Sequence, residues 1–452
     1  RSVREARALA RGLGRARGAG PIVSRAESPS RRVLMVAFHY PPEGGSSGVL
    51  RTLKFSRYLL RYGWQPHVLT LTASSYPVRD EKLLAQIPPE VVVHRTRAID
   101  SGRHLAIRGR YLSTLAIPDR FIGWLPFAVP RGIGVVRRHG IDAIYSTSPL
   151  ATAHLIALRI HRATGVPWVA DFRDPWIEEG IHPRPGSMRE RIERRLERAV
   201  VRGADRLVMT TSRLRDEILA RHPDLGTEKA RVIYNGYDES DFAGLRPGGD
   251  SERFELLHAG LVTAEFRDPT PVFKALASLL EEGALERSRV RLTFLGGGPY
   301  VESSAFTEGI AAHRLSDVVE VAPRVSHAES LQRLARAGGL LLMQASDDTR
   351  SLIPAKAFEY LRLPRPILAL VLEGATADLL RGLDACYVVG PSDHEGLRAA
   401  IRSLHARWLA APEGGGTARP IERFERSMLT GTLAELLNEV ISNPNQSQGP
   451  AR

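Results

Sequence analysis

From residue 32 onward, short unbroken apolar runs alternate with longer stretches whose apolar residues recur every three or four positions. The run 33–38 (VLMVAF) carries no polar interruption, as expected of a strand buried on both faces of a parallel sheet. Further strands are predicted at 67–71, 91–94, 142–146, 168–171, 206–209 and 231–234, with helices at about 49–61, 151–163, 187–202 and 212–221. Strands alternating with helices of this length predict an α/β fold with a doubly wound parallel sheet.

A Gly- and Pro-rich stretch at 243–251 breaks the rhythm, which then restarts with strands near 254–259, 290–295, 318–321, 339–343 and 366–370. Ser326 with Glu329, and Ser392 with Glu395, have the spacing of capping boxes at helix starts. The pattern divides the chain into a basic extension (1–30, disordered or lying on the surface), a Rossmann-like domain (31–243) and a linker (244–253). A second Rossmann-like domain (254–410), a closing amphipathic helix (421–442) and a polar, disordered tail (443–452) follow.

The length of 452 residues exceeds what one compact core sustains, which agrees with two domains. The single cysteine, Cys386, excludes an internal disulfide and a multi-cysteine zinc site, and its apolar setting at 385–389 reads as a packed thiol rather than a nucleophile. The net charge of +13 fits an anionic membrane face, a phosphate-rich substrate or nucleic acid, and a GC-rich genome would produce the same Arg excess. No nucleic-acid module and no interleaving of aromatic with basic residues supports a nucleic-acid partner. No window reaches the run of about 18 apolar residues that a membrane-spanning helix needs. The segment 1–30 lacks the apolar core of a signal peptide, so a cytoplasmic location is expected, with peripheral contact to an anionic membrane as an option.

In open α/β sheets the chemistry lies beyond the carboxyl ends of the strands. After the first strand, the loop 39–48 (HYPPEGGSSG) contains Gly44 and Gly45, which either allow backbone N–H groups to approach a phosphate or form a plain turn. After the fifth, Asp171, Phe172, Arg173, Asp174, Pro175 and Trp176 set two carboxylates, a guanidinium and an indole beside a buried strand. Such groups must either pair with each other or bind substrate. In the second half Gly260 ends a strand, Arg267 follows in a short loop, and Gly296 and Gly297 end another strand. A helix begins near Pro354, where proline suits the first turn, and Lys356 and Glu359 share one of its faces. A surface ion pair is one reading of these two. In a chain that otherwise uses Arg, a lysine also marks a place where a compact ammonium matters.

These residues carry a resemblance. Tyr40-Pro41-Pro42-Glu43-Gly44-Gly45, Ser146-Thr147-Ser148-Pro149, Pro167 to Trp176, Asn235-Gly236-Tyr237-Asp238 and Ile353-Pro354-Ala355-Lys356-Ala357-Phe358-Glu359-Tyr360-Leu361 occur in the order and spacing of a known family. From about 32 to 440 the chain resembles the GT-B glycosyltransferases of family 4, and within them the branch serving capsule, O-antigen and exopolysaccharide synthesis. The resemblance implies two Rossmann-like domains facing each other across a cleft. It also implies a nucleotide-diphosphate sugar as co-substrate, no cofactor, no metal and retention of anomeric configuration. Glu359 would accept hydrogen bonds from the ribose. Ile353, Pro354, Ala355 and Lys356, with Gly260, Gly296 and Gly297, would surround the donor, and Gly44 and Gly45 would close on it from the other domain. Arg267 and Lys356 would neutralise the departing diphosphate, the task that metal ions perform elsewhere. Asp174 joins them as the third catalytic candidate, and a glycan or polyprenyl-linked acceptor would approach along Asp171, Arg173, Asp174 and Trp176.

The sequence departs from the family at one position. Two glutamates separated by seven residues are usual, and Ser351 stands where the first is expected. Asp347 and Asp348, slightly upstream, are candidate substitutes. The aromatic and basic segment 118–127 either docks on a membrane or packs into the first core. Other readings of the same architecture are a nucleotide-sugar 2-epimerase and a catalytically degenerate scaffold.

Overall fold

The structure, a computed structural model, describes residues 31–46, 48–104, 113–178, 182–246, 248–249, 252–412 and 419–442. The predicted extension 1–30, the tail 443–452 and linker residues 247, 250 and 251 lie outside the described residues.

Seven strands form the first sheet: β1 (Arg31–Ala37), β2 (Trp64–Leu71), β3 (Val92–Thr96), β4 (Ala143–Thr147), β5 (Trp168–Phe172), β6 (Arg206–Met209) and β7 (Ala230–Val232). Six form the second: β8 (Phe254–Ala259), β9 (Val290–Leu295), β10 (Val319–Ala322), β11 (Gly339–Gln344), β12 (Ile367–Val371) and β13 (Cys386–Val389). The orders are β3-β2-β1-β4-β5-β6-β7 and β10-β9-β8-β11-β12-β13, with every pairing parallel. Each sheet therefore reverses its winding once, between β1 and β4 and between β8 and β11, and the doubly wound α/β class expected from the sequence is what forms. Every residue of β4, β5, β11 and β12 is buried, because helices cover both faces of these central strands.

Ser326 caps its helix by accepting from the Glu329 N–H, as its spacing indicated. At the next such motif the cap is Asp393, which accepts from Gly396, rather than Ser392. Pro354 is the extended residue just before the helix Ala355–Arg362 rather than part of its first turn. The run around Cys386 is the edge strand β13, which the sequence reading left unassigned.

The last helix, Arg426–Ser442, lies on the first domain and sends Leu433, Leu436 and Leu437 into the core shared by Val33, Leu53 and Tyr145. The segment 118–127 turns largely inward. Phe121 and Trp124 are buried in the first core, the Trp124 indole donating to Thr96 Oγ1 at 2.7 Å, while Phe127 stays exposed.

Candidate active site

The carboxyl ends of the two sheets face each other around a cavity of about 240 Å³. From the first domain it is lined by Arg51, by Arg173 and Asp174 after β5, by Thr210 after β6 and by Asn235 after β7. The second domain contributes Phe266 and Arg267 after β8, Gln344 at the end of β11, and the loop from Asp348 to Ala355. Arg426, at the start of the last helix, closes the wall. Of the sequence-selected residues, Arg173, Asp174, Arg267, Ile353, Pro354 and Ala355 line this one space.

Asp171 has a different setting. It is fully buried and accepts from Arg51 Nε and Nη2, both at 2.9 Å, from Thr147 Oγ1 at 3.0 Å and from the Tyr145 hydroxyl. Burial pushes its carboxyl up, but Arg51 outweighs this and holds it below the usual carboxylate range. A carboxylate so fully engaged positions Arg51, which in turn donates to the Ile233 and Tyr234 carbonyls at 3.0 and 2.8 Å. Trp176 also faces inward, donating to Glu193 at 3.2 Å and packing against the first core.

Arg173 is held by its backbone N–H on Ser148 Oγ (2.8 Å) and by Nη1 on the Gly48 carbonyl (3.0 Å), while its Nε is buried and, among the described residues, has no partner. Gly44 and Gly45 lie outside the lining. The Gly44 N–H goes to Val78 O at 3.1 Å, and the Gly45 N–H goes at 2.7 Å to Glu43, whose other oxygen meets His39 at 2.9 Å.

In the second domain, Lys356 and Glu359 do not pair with each other. Lys356 Nζ donates to the Ala259 carbonyl and lies over Gly260, whose φ of +117° and missing Cβ make room for it. Burial, followed by the charge of Arg267, pushes the Lys356 ammonium down to about 8, against the opposing pull of Glu359. Glu359 accepts from His327 Nε2 at 3.0 Å and raises the histidine's pKa. Gly296, at φ +79°, and Gly297 form the turn after β9, where Arg324 lies against Gly296 and the Gly297 carbonyl accepts from Val262 N–H at 2.8 Å. Ser351 is a contact between domains, its carbonyl accepting from Thr211 Oγ1 at 2.6 Å. Of the two suggested substitutes, Asp348 lines the cavity, whereas Asp347 pairs with Arg350 at 2.7 Å.

Arg51, Arg426 and His327 were not singled out from sequence. Arg426 is 8% exposed, and among the described residues its guanidinium has no hydrogen-bond or ion-pair partner. Four guanidiniums against the carboxylates of Asp174 and Asp348 give the cavity an excess of positive charge suited to a multiply charged anion.

Residues 49–236 match the family described as glycosyl transferase 4-like domain. The matched region supplies Arg51, Arg173, Asp174, Thr210 and Asn235 to the cavity. The chain is 29% identical over 198 residues to D-inositol 3-phosphate glycosyltransferase of Kineococcus radiotolerans, an overlap of 41% of this chain and 43% of that protein. The chain spans about half the length of the curated relatives it matches. Among solved structures it resembles sucrose-phosphate synthase from Thermosynechococcus elongatus, with TM-score 0.63 and 14% identity over 91% of this chain and 99% of the other. It also resembles Anabaena Alr3699/HepE in complex with UDP, with TM-score 0.60 and 15% identity over 90% of this chain and 100% of the other. These likenesses show the fold, which is GT-B.

Proposed function

We propose that the chain is a glycosyltransferase that moves a sugar from a nucleotide-diphosphate donor to a glycan or polyprenyl-linked acceptor in cell-envelope polysaccharide synthesis. The observation that carries this reading is the placement of Arg267 and the N-terminus of the helix Ala355–Arg362 on one wall of the inter-domain cavity. A helix N-terminus and a guanidinium together suit a diphosphate. Further support comes from the glycosyl transferase 4-like domain and from the neighbour Alr3699/HepE, solved in complex with UDP-glucose at TM-score 0.58.

In this reading the bond between the anomeric carbon and the β-phosphate oxygen breaks while the acceptor hydroxyl bonds to that carbon from the same face, so the configuration is retained. The hydroxyl proton passes to the departing diphosphate. Arg267 and Lys356 offset the charge that develops there without a metal ion, and Glu359 holds the ribose. Asp174 and Arg173 orient the acceptor from the opposite wall. Among the described residues no helix is long and apolar enough to cross a membrane, and we place the enzyme at the cytoplasmic face, in peripheral contact with anionic lipid.

The test is thermal stability against UDP, GDP and ADP sugars, with and without EDTA, beside Glu359→Ala. A ligand at about a hundred times its Kd adds roughly 2.7 kcal/mol. The expected result is a shift with one nucleotide class that survives EDTA and disappears in the variant. No shift with any nucleotide sugar in folded protein would overturn the reading. The anomeric configuration of the product, read by NMR, tests retention separately.

A further inference from the structure

Three histidines converge far from the cleft, beside a cavity of about 400 Å³ that opens at the amino ends of β1, β2 and β3. His67 lies on β2 and His94 on β3, and His94 is paired with Leu69, two residues beyond His67, so the two imidazoles share a face of the sheet. His139 ends the helix Leu125–His139 and brings the third ring to the same point. Ring centroids are 4.7 Å apart for His67 and His139 and 5.7 Å for His94 and His139. One nitrogen from each ring lies within 4.8 Å of the others.

His67 Nδ1 and His94 Nε2 are 3.1 Å apart. Two ligands at 2.0–2.1 Å from a tetrahedral zinc stand about 3.3 Å apart, so this edge is already near its required length. The half-buried His139, at a helix end, has to close by up to about 1.5 Å to complete the set.

The hydrogen bonds fix the resting tautomers. Arg131 Nη2 is 3.4 Å from His94 Nδ1, and an arginine can only donate, so that nitrogen accepts. His94 Nε2 then carries the proton and donates to His67 Nδ1, which leaves the proton of His67 on Nε2. That nitrogen is buried and, among the described residues, has no partner, but it is not the nitrogen on the 3.1 Å edge, so the site rests on the convergence of the three rings. Arg131 is exposed, so it can move aside if His94 changes tautomer on binding a metal.

Arg32 and Arg138 line the opening, and among the described residues none of its lining is acidic. Neutral imidazoles bring no charge to a dication, and the arginines favour an anion beside it. We propose that His67, His94 and His139 form a Zn²⁺ site whose fourth position takes water, hydroxide or an inorganic anion such as phosphate, held by Arg32 and Arg138. The site ties β2, β3 and the helix Leu125–His139 together at the end of the sheet remote from the cavity, so it stabilises the first domain and leaves transfer chemistry alone.

The test uses the full chain, stripped with EDTA, dialysed and titrated with Zn²⁺ in competition with a chromogenic chelator, and separately with Co²⁺. The expected result is one equivalent bound, a visible Co²⁺ spectrum of tetrahedral type and a rise in Tm with Zn²⁺. His139→Ala, which removes only the half-buried ring, should weaken binding at least tenfold and abolish the Tm rise while circular dichroism stays native. His313→Ala, in the other domain, should leave all three unchanged. Sub-stoichiometric binding, or equal affinity in wild type and His139→Ala, overturns the proposal and makes the cluster simple ring packing. Added phosphate that alters the Co²⁺ spectrum identifies the fourth ligand as anionic; an unchanged spectrum assigns it to solvent.

Discussion

Arg51 and Asp171 meet in a two-pronged ion pair, 2.9 Å at each contact, with both residues essentially shielded from water. The pair joins the helix after the Gly-rich loop to the end of β5 and fixes one wall of the cleft. A carboxylate predicted to meet substrate instead holds the arginine that does line the cavity.

Removing one partner leaves an uncompensated buried charge, so Asp171→Ala should destabilise the chain by about 3–5 kcal/mol. The double variant Arg51→Met with Asp171→Leu should lose less, because no charge is stranded. Urea denaturation measures both. A loss under about 1 kcal/mol for Asp171→Ala would show that Arg51 finds water or another anion there.

Lys356 gives a prediction with two opposite signs. Its folded pKa of about 8 lies below the ordinary lysine value of 10.5, so between these values the unfolded chain binds a proton that the folded chain has released. Stability of the free protein should therefore rise with pH across that window, relative to Lys356→Met. A bound diphosphate needs the proton, so its affinity should fall as pH rises past 8. Calorimetry with UDP at pH 7, 8 and 9 checks this, and a wild-type slope equal to that of Lys356→Met would refute it.

What could be read from sequence divides along a physical line. The strands β6, β8 and β9 stand where the apolar runs placed them, since each is mostly apolar and buried along most of its length. The edge strand β13 was missed because an edge is covered less completely and its run includes Cys386 and Tyr387. At the site, Arg267 and the residues around Pro354 were legible because the loops after strands are where chemistry is sought. Arg426 and Arg51 were not, since each belongs to a helix and reaches the cavity only through tertiary packing. The turn of Asp171 toward Arg51 was equally hidden, because 120 residues separate the partners.

Gly48 is held to glycine by its neighbour rather than by its backbone. Its φ is an ordinary −57°, but a Cβ there would lie 2.7 Å from both terminal nitrogens of Arg173. Gly48→Ala should therefore displace that guanidinium and weaken transfer at least tenfold, while stability changes by no more than about 1 kcal/mol because the far end of a flexible side chain can yield. Assay beside urea denaturation separates the two effects. Full activity in Gly48→Ala would show that Arg173 takes no part in orienting substrate.

Arg426 should show the opposite trade between stability and binding. Burial, followed by repulsion from Arg51, lowers its pKa to about 10 against the weaker pull of Glu359, Asp238 and Asp241, and among the described residues its guanidinium has no hydrogen-bond or ion-pair partner. A residue kept under such strain costs the free protein stability, and the cost is offset only when an anion arrives. Arg426→Met keeps the apolar bulk and removes the charge. It should leave the free protein as stable as wild type or more so, by up to about 1 kcal/mol, and weaken nucleoside diphosphate binding at least tenfold. Thermal melts with and without UDP read both quantities from one sample. A variant that is less stable when free and binds UDP normally would assign Arg426 to holding the last helix in place.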